Sequence, residues 1–155
     1  MHDFSNLLSK DAIFLDLQIK GPQSLLRQLS ETLADLTRLD PRDILHAVTD
    51  RERLGSTAIG YGVAIPHARL NGIDKSIGAF ARLRRPLDFD AFDKEPCDLI
   101  FMLLAPLSEG SDHLRALAQI SRAFSREEFR DHLRAANTYA DITNLLLKKG
   151  QGQAA

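Results

Sequence analysis

The chain has one cysteine, Cys97, no tryptophan and two tyrosines in 155 residues. A single thiol cannot close an intramolecular disulfide, nor can it build a thiolate-rich metal site; its expected place is a small, partly buried apolar position. An excess of charge of one sign is lacking too, since 20 Lys and Arg oppose 21 Asp and Glu and the formal net charge is −1. With the two signs interspersed, there is no electrostatic footprint for nucleic acid or an anionic membrane. No hydrophobic run approaches the ~20 apolar residues that a membrane span needs. The N-terminus, MHDFSNLLSKDAIFLDL, has no basic segment leading into a long apolar stretch and does not read as a signal peptide. A cytoplasmic protein without membrane insertion is expected.

What remains is ordinary globular material. Apolar residues make up 44% and charged residues 26%, too apolar for disorder. A domain of this length buries about 68–70% of the surface of its unfolded chain, enough for a real core. There is no internal repeat, linker or low-complexity block.

AIFLDLQI (12–19) reads as a first strand. Gly21 and Pro22 open a helix with Leu25, Leu29, Leu33 and Leu36 on one face. Asp40 caps a second helix, with Ile44, Leu45 and Val48 inward and Gly55 as its terminator. STAIGYGVAIPH (56–67) holds two short strand-like pieces, with Gly60 and Gly62 serving backbone turns. SIGAFARLR (76–84) alternates as a strand with one wetter face, and DLIFMLLAP (98–106) is the continuous apolar run of a strand covered on both sides. Ser111 is expected to cap a helix facing inward through Leu114, Leu117, Ala118 and Phe124. Ser125 to Glu128 has the form of a capping box for another, with Phe129 and Leu133 inward. Thr138 caps a last helix carrying Ile142, Leu145 and Leu146, and the tail KKGQGQAA frays. The pieces between 57 and 84 are joined too tightly for crossover helices. The expected fold is therefore a single α/β domain, a mixed sheet of about five strands with helices on both faces.

Of the five histidines, His2 lies in a loose terminus, and His46 and His132 lie in helices where packing explains them. His67 and His113 differ: each follows the carboxyl end of a strand-like run, the edge at which open α/β sheets bind ligands. His113 also falls in the first turn of its helix, whose free N–H groups favour an anion. That combination suits a phosphoryl group. A neutral imidazole is a competent nucleophile near pH 7, and arginine, histidine and helix termini can stabilise the transferring group without a metal. Spacing alone leaves an incidental pairing equally open. Arg51, Arg53, Arg69, Arg82, Arg84 and Arg85 are candidate phosphate contacts; a solvated strand edge and charge at a helix C-terminus account for them as well. There is no H-x-H, no H-E-x-x-H and no G-x-S-x-G, which disfavours a metal hydrolase or a serine hydrolase, and no cofactor-binding or metal residues are assigned.

The string DRERLGSTAIGYGVAIPHAR, followed by PLDFDAFDKEPCDLIFMLLAP and then HLRAL, resembles the IIA domains of the fructose/mannitol class of the bacterial phosphoenolpyruvate-dependent phosphotransferase system (PTS). It is most similar to their stand-alone nitrogen-regulatory branch. The resemblance runs from about residue 8 to 148, and places an EIIA type-2 domain over residues 1–150 with a flexible tail at 151–155. It implies that His67 is phosphorylated on Nε2 by the phosphohistidine of a small HPr-like carrier (NPr), and that His113 and Arg51 support the phosphoryl group. The implied role is a regulatory phosphocarrier, a transferase component rather than a free-standing turnover enzyme, with potassium-uptake or sensor-kinase systems as targets. The alternative is a sugar-specific IIA that passes phosphate to a separate IIB during fructose or mannitol uptake; the lack of a fused IIB in this chain favours regulation. A pure interaction module, indifferent to His67→Ala, is a third reading. Tyr61 and Ala68 depart from the commonest family pattern, in which a small polar residue and a glycine are frequent. Val63, Ile65, Leu70 and the region near Leu107 are candidates for an apolar rim for donor docking, and ordinary core packing accounts for them equally well.

Overall fold

The computed structural model describes residues 2–107 and 111–147. The elements in chain order are β1 (Ile13–Leu17), α1 (Pro22–Thr37), α2 (Pro41–Leu54), β2 (Ala58–Gly60), β3 (Val63–Ala64), β4 (His67–Leu70), β5 (Ile77–Leu87) and β6 (Cys97–Pro106). Three helices follow, α3 (Asp112–Phe124), α4 (Glu127–Ala135) and α5 (Tyr139–Leu146). Six strands form one sheet in the order β1-β5-β6-β3-β2, with β4 also on β6. The sheet is mixed as expected: β1 runs parallel to β5, β5 antiparallel to β6, and both β3 and β4 parallel to β6.

The extra strand has a local cause. β3 and β4 keep the same offset against β6, Val63 opposite Leu99 and His67 opposite Leu103, so they are one strand interrupted at Ile65 and Pro66. Proline has no N–H to give a ladder. Here its carbonyl still accepts from Leu103 N at 2.9 Å, so the register survives the break.

Helices cover both faces because β6 is apolar in both phases. Leu99, Phe101 and Leu103 join Phe80, Val63 and Ile65 in a core closed by α3, α4, α5 and the N-terminal Phe4, Leu7 and Leu8. Ile100, Met102 and Leu104 join Ala79, Ala81 and Leu83 in a second core under α1 and α2. This is the period-two alternation of a strand buried on both sides. Helix starts follow local chemistry: Pro22 occupies the first turn of α1, Asp40 Oδ1 accepts from Arg42 N at 2.9 Å, and Thr138 Oγ1 accepts from Asp141 N at 3.0 Å.

Several expectations fail. Neither Ser111 nor Ser125 caps a helix with its side chain; Ser125 Oγ donates instead to the Arg122 carbonyl at 2.8 Å. On α3, Phe124 and the partly buried Leu117 face inward as expected and are joined by Ala116, Ile120 and Ala123, while Leu114 and Ala118 are exposed. That segment has apolar residues on two sides, and packing onto the phenylalanine cluster selects the side that carries Phe124. Nor does β5 have a wetter face over 77–83, where Arg82 is buried. Its guanidinium donates to the carbonyls of Leu133, Arg134 and Ala136 at 2.8, 3.2 and 2.7 Å and pairs with Asp16 at 2.8 Å. Cys97 is fully rather than partly buried, and burial pushes its thiol up to about 12. The expected fraying of residues 148–155 lies outside the described residues.

Candidate functional site

The site begins where the sheet loses a strand. β2 flanks β3 only as far as the bond from Ile65 N to the Thr57 carbonyl, 3.0 Å; beyond Pro66, β4 pairs with β6 alone and becomes the sheet edge. Before Thr57 the chain turns back into α2, which packs against β4. Just past the carboxyl end of β6, α3 starts. The strand edge, the C-terminal turn of α2 and the first turn of α3 enclose an open cleft of about 630 Å³.

His67, His113 and Arg51 all line this cleft, together with Arg53 and Arg69. The walls between them are largely apolar, formed by Ala47, Leu54, Leu103, Ala105 and Leu117. His67 is half-buried, as the first residue of β4 rather than a residue beyond the end of a strand. Its Nδ1 lies 2.8 Å from the Ile65 carbonyl. A carbonyl only accepts, so Nδ1 carries the proton and Nε2 keeps the lone pair. Burial lowers the proton affinity of the ring; the Ile65 carbonyl opposes this, Arg51 and His113 reinforce it, and Glu52 works against it. The result is a neutral imidazole with a defined tautomer, beside cationic side chains and a helix N-terminus.

Local bonds fix these partners. Arg51 lies in the last turn of α2 and donates to the Gly55 carbonyl at 3.1 Å. The neighbouring Glu52 carboxylate accepts from Thr57 N at 3.1 Å and Thr57 Oγ1 at 2.7 Å, clamping the turn between helix and strand. Arg53 reaches Asp50 at 3.4 Å, and Arg69 donates to the Leu107 carbonyl at 3.1 Å.

The other candidates are elsewhere. Arg82 is the buried tether of α4, and Arg84 and Arg85 are exposed on β5 away from the cleft lining. His46 pairs with Asp50 at 3.5 Å on the surface of α2, His132 is exposed on α4, and the His2 ring lies 4.6 Å from that of Phe129. Tyr61 points away from the cleft, with the Arg130 guanidinium 4.2 Å from its ring centre. It adopts φ 61°, between Gly60 and Gly62, and a Cβ at Gly62 would come within 2.6 Å of the Arg134 guanidinium. Ala68, by contrast, lines the cleft beside His67 and packs with the core beneath α1 and α2. Among the described residues no group of three or more His, Cys, Asp and Glu side chains could hold a metal, and no helix is long and apolar enough to cross a membrane.

Of the rim candidates, core packing accounts for three. Val63 and Ile65 are core residues at 0% and 2% exposure, because strand alternation turns them under α3. Leu70 packs onto the opposite core. Leu107 is exposed at 47%, as are Leu54, on the cleft wall, at 84% and Leu114, next to His113, at 58%. Leu54 gave a signal, as the last helical residue before a terminating glycine; Leu114 gave a misleading one, since its helical spacing suited a core position.

Architecture and cleft together define a class: a mixed α/β domain that gathers two histidines and an arginine at an open sheet edge. The chain belongs to the EIIA 2 family of the phosphoenolpyruvate-dependent sugar phosphotransferase system, whose model it matches over residues 6–149. It is thus a IIA component of that system. It is 41% identical over 142 residues to a nitrogen regulatory protein of Bradyrhizobium diazoefficiens, covering 92% of this chain and 93% of the relative. It is 34% identical over 145 residues to a fructose-specific EIIA component of Haloferax volcanii, covering 93% and 94%. Among solved structures, the nitrogen regulatory protein IIA-Ntr of Neisseria meningitidis matches with a TM-score of 0.85 and 34% identity, over 90% of this chain and 95% of that one.

Proposed function

We propose that this IIA component is a regulatory phosphocarrier of a nitrogen-related phosphotransferase branch, in the cytoplasm, with His67 as the phosphorylated residue. The observation that carries the reading is the bond from His67 Nδ1 to the Ile65 carbonyl, 2.8 Å, in a cleft shared with Arg51 and His113. In the transfer, the Nε2 lone pair attacks the phosphorus of the donor's phosphohistidine. The donor's P–N bond breaks, and its electron pair returns to the donor imidazole. The Nδ1 proton stays in place, so the phosphorylated ring carries positive charge that the Ile65 carbonyl stabilises. Arg51, with its planar fork, and His113, in a helix first turn, are assigned to the equatorial phosphoryl oxygens.

The donor in this reading is a small HPr-like carrier (NPr), docking on the rim formed by Leu54, Leu107 and Leu114. Phosphorylation adds up to about two negative charges to a cleft lined by arginines and apolar side chains, enough to separate partners that accept one form from those that accept the other. Regulated targets, such as potassium-uptake or sensor-kinase systems, would be distinguished in this way. The nitrogen-regulatory assignment draws on the Bradyrhizobium and Neisseria relatives. The similarity to a fructose-specific component supports a second reading, transfer onward to a separate IIB.

The test is incubation with phosphoenolpyruvate, the first enzyme of the system and either an NPr-type or a sugar-type HPr carrier, followed by intact mass. The regulatory reading expects one acid-labile phosphate, faster from the NPr-type carrier, absent in His67→Ala and not drained by fructose or mannitol IIB. Rapid drainage by a IIB would favour the sugar reading. No phosphate from either carrier would overturn both.

A further inference from the structure

Four residues between the end of α2 and the start of β4 form a continuous series of bonds. The Glu52 carboxylate accepts from Thr57 N at 3.1 Å and from Thr57 Oγ1 at 2.7 Å. The Thr57 carbonyl accepts from Ile65 N at 3.0 Å. The Ile65 carbonyl accepts from His67 Nδ1 at 2.8 Å. Each link fixes one residue before presenting the next acceptor. Thr57 is buried, at 6% exposure, so both of its donors depend on Glu52. Ile65, held by Thr57 and restricted to extended backbone by Pro66, has no freedom to turn its carbonyl away from the ring.

We propose that Glu52 is a positioning residue for phosphoryl acceptance: through Thr57 and Ile65 it holds the His67 ring with Nδ1 protonated and Nε2 free to attack. Glu52 itself does not line the cleft. Its neighbour Arg51 does, so one helix turn supplies both the phosphate contact and the anchor of the nucleophile's tautomer. Its charge also bears on His67, working against the lowering caused by burial. The effect on transfer rate rests on His67 being the phosphoryl acceptor; the effect on the tautomer does not.

The experiment is 15N NMR of the His67 ring nitrogens in the full chain, with phosphoryl acceptance kinetics alongside. In the unaltered protein Nδ1 shows the shift of a protonated nitrogen and Nε2 that of an unprotonated one. Glu52→Ala is expected to mix the two tautomers and to lower the maximal acceptance rate by about tenfold, the weight of one net hydrogen bond, with the donor KM unchanged. Glu52→Gln is the conservative rescue, because its amide oxygen accepts from Thr57 N while its amide N–H donates to Thr57 Oγ1; it should keep the tautomer. Thr57→Val, nearly isosteric, removes only the hydroxyl link, and partial mixing is expected even if Glu52→Ala does not fold. Unchanged ring shifts in a folded Glu52→Ala, or in Thr57→Val, would overturn the proposal. Failure of the unaltered protein to accept phosphate would remove the carrier reading while leaving the tautomer comparison intact.

Discussion

Replacing Arg82 by leucine removes a buried side chain that ties the end of α4 to the sheet. The guanidinium makes three bonds to carbonyl oxygens, those of Leu133, Arg134 and Ala136, of which the first and third are buried. Leucine fills much of the space but satisfies none of them. Each buried acceptor left unpaired costs about 1–3 kcal/mol. The Asp16 carboxylate, at 53% exposure, regains water and adds little. Two buried orphans put the loss near 4 kcal/mol, and relief from keeping a guanidinium out of water brings the expectation to about 3 kcal/mol. For a chain of this size that is roughly a 6–12 °C fall in Tm. Arg82→Lys, whose ammonium has three donors but no fork, should lose about half as much. Urea unfolding followed by circular dichroism measures both. The cleft lies elsewhere, so phosphoryl acceptance at a temperature where Arg82→Leu is folded should remain near that of the unaltered protein. A loss below ~1 kcal/mol would refute the view that this arginine satisfies the α4 terminus.

Because burial lowers the proton affinity of His67, its NMR titration midpoint should fall below the ordinary 6.5, and acceptance should hold through pH 6.5 and decline only further into acid. The sign for stability is the same: below 6.5 the unfolded chain binds a proton that the native ring refuses, so stability falls as pH drops from 6.5 to the native midpoint, and His67→Gln should flatten that slope. Leu54→Asp and Leu114→Asp, at exposed rim positions, should leave Tm within about 2 °C while raising the donor KM roughly tenfold, the scale of an interface residue worth 1–2 kcal/mol. Steady-state transfer kinetics check this.

The architecture was legible wherever one physical signal dominated. The unbroken apolar run of β6 announced a strand covered on both sides, Pro22 and Asp40 marked helix starts, and the short joints between 57 and 84 required antiparallel pairing. Placing His67 and His113 beyond strand-like runs allowed their meeting without requiring it, and His67 proves to open β4. Arg51 was carried by the family resemblance, because nothing in its spacing reveals that the α2 terminus folds against β4. Other features depend on partners remote in sequence. Arg82 looked like a wet-face residue because its acceptors lie more than fifty positions away, and on α3 only Leu114 and Ala118 were misplaced, because both of its sides are apolar. Glu52 was invisible as a site residue, since its importance comes from two donors on a buried threonine after a turn. Val63 and Ile65 stood equally open between rim and core, and strand alternation places them in the core.

The central claim is that His67 carries the phosphoryl group on Nε2 while Nδ1 stays bonded to the Ile65 carbonyl. The direct measurement is 31P and 15N NMR of the protein phosphorylated through its carrier. Phosphorus should couple to Nε2 of His67 alone, with Nδ1 still protonated. Coupling to Nδ1, or to any nitrogen other than those of His67, would contradict it.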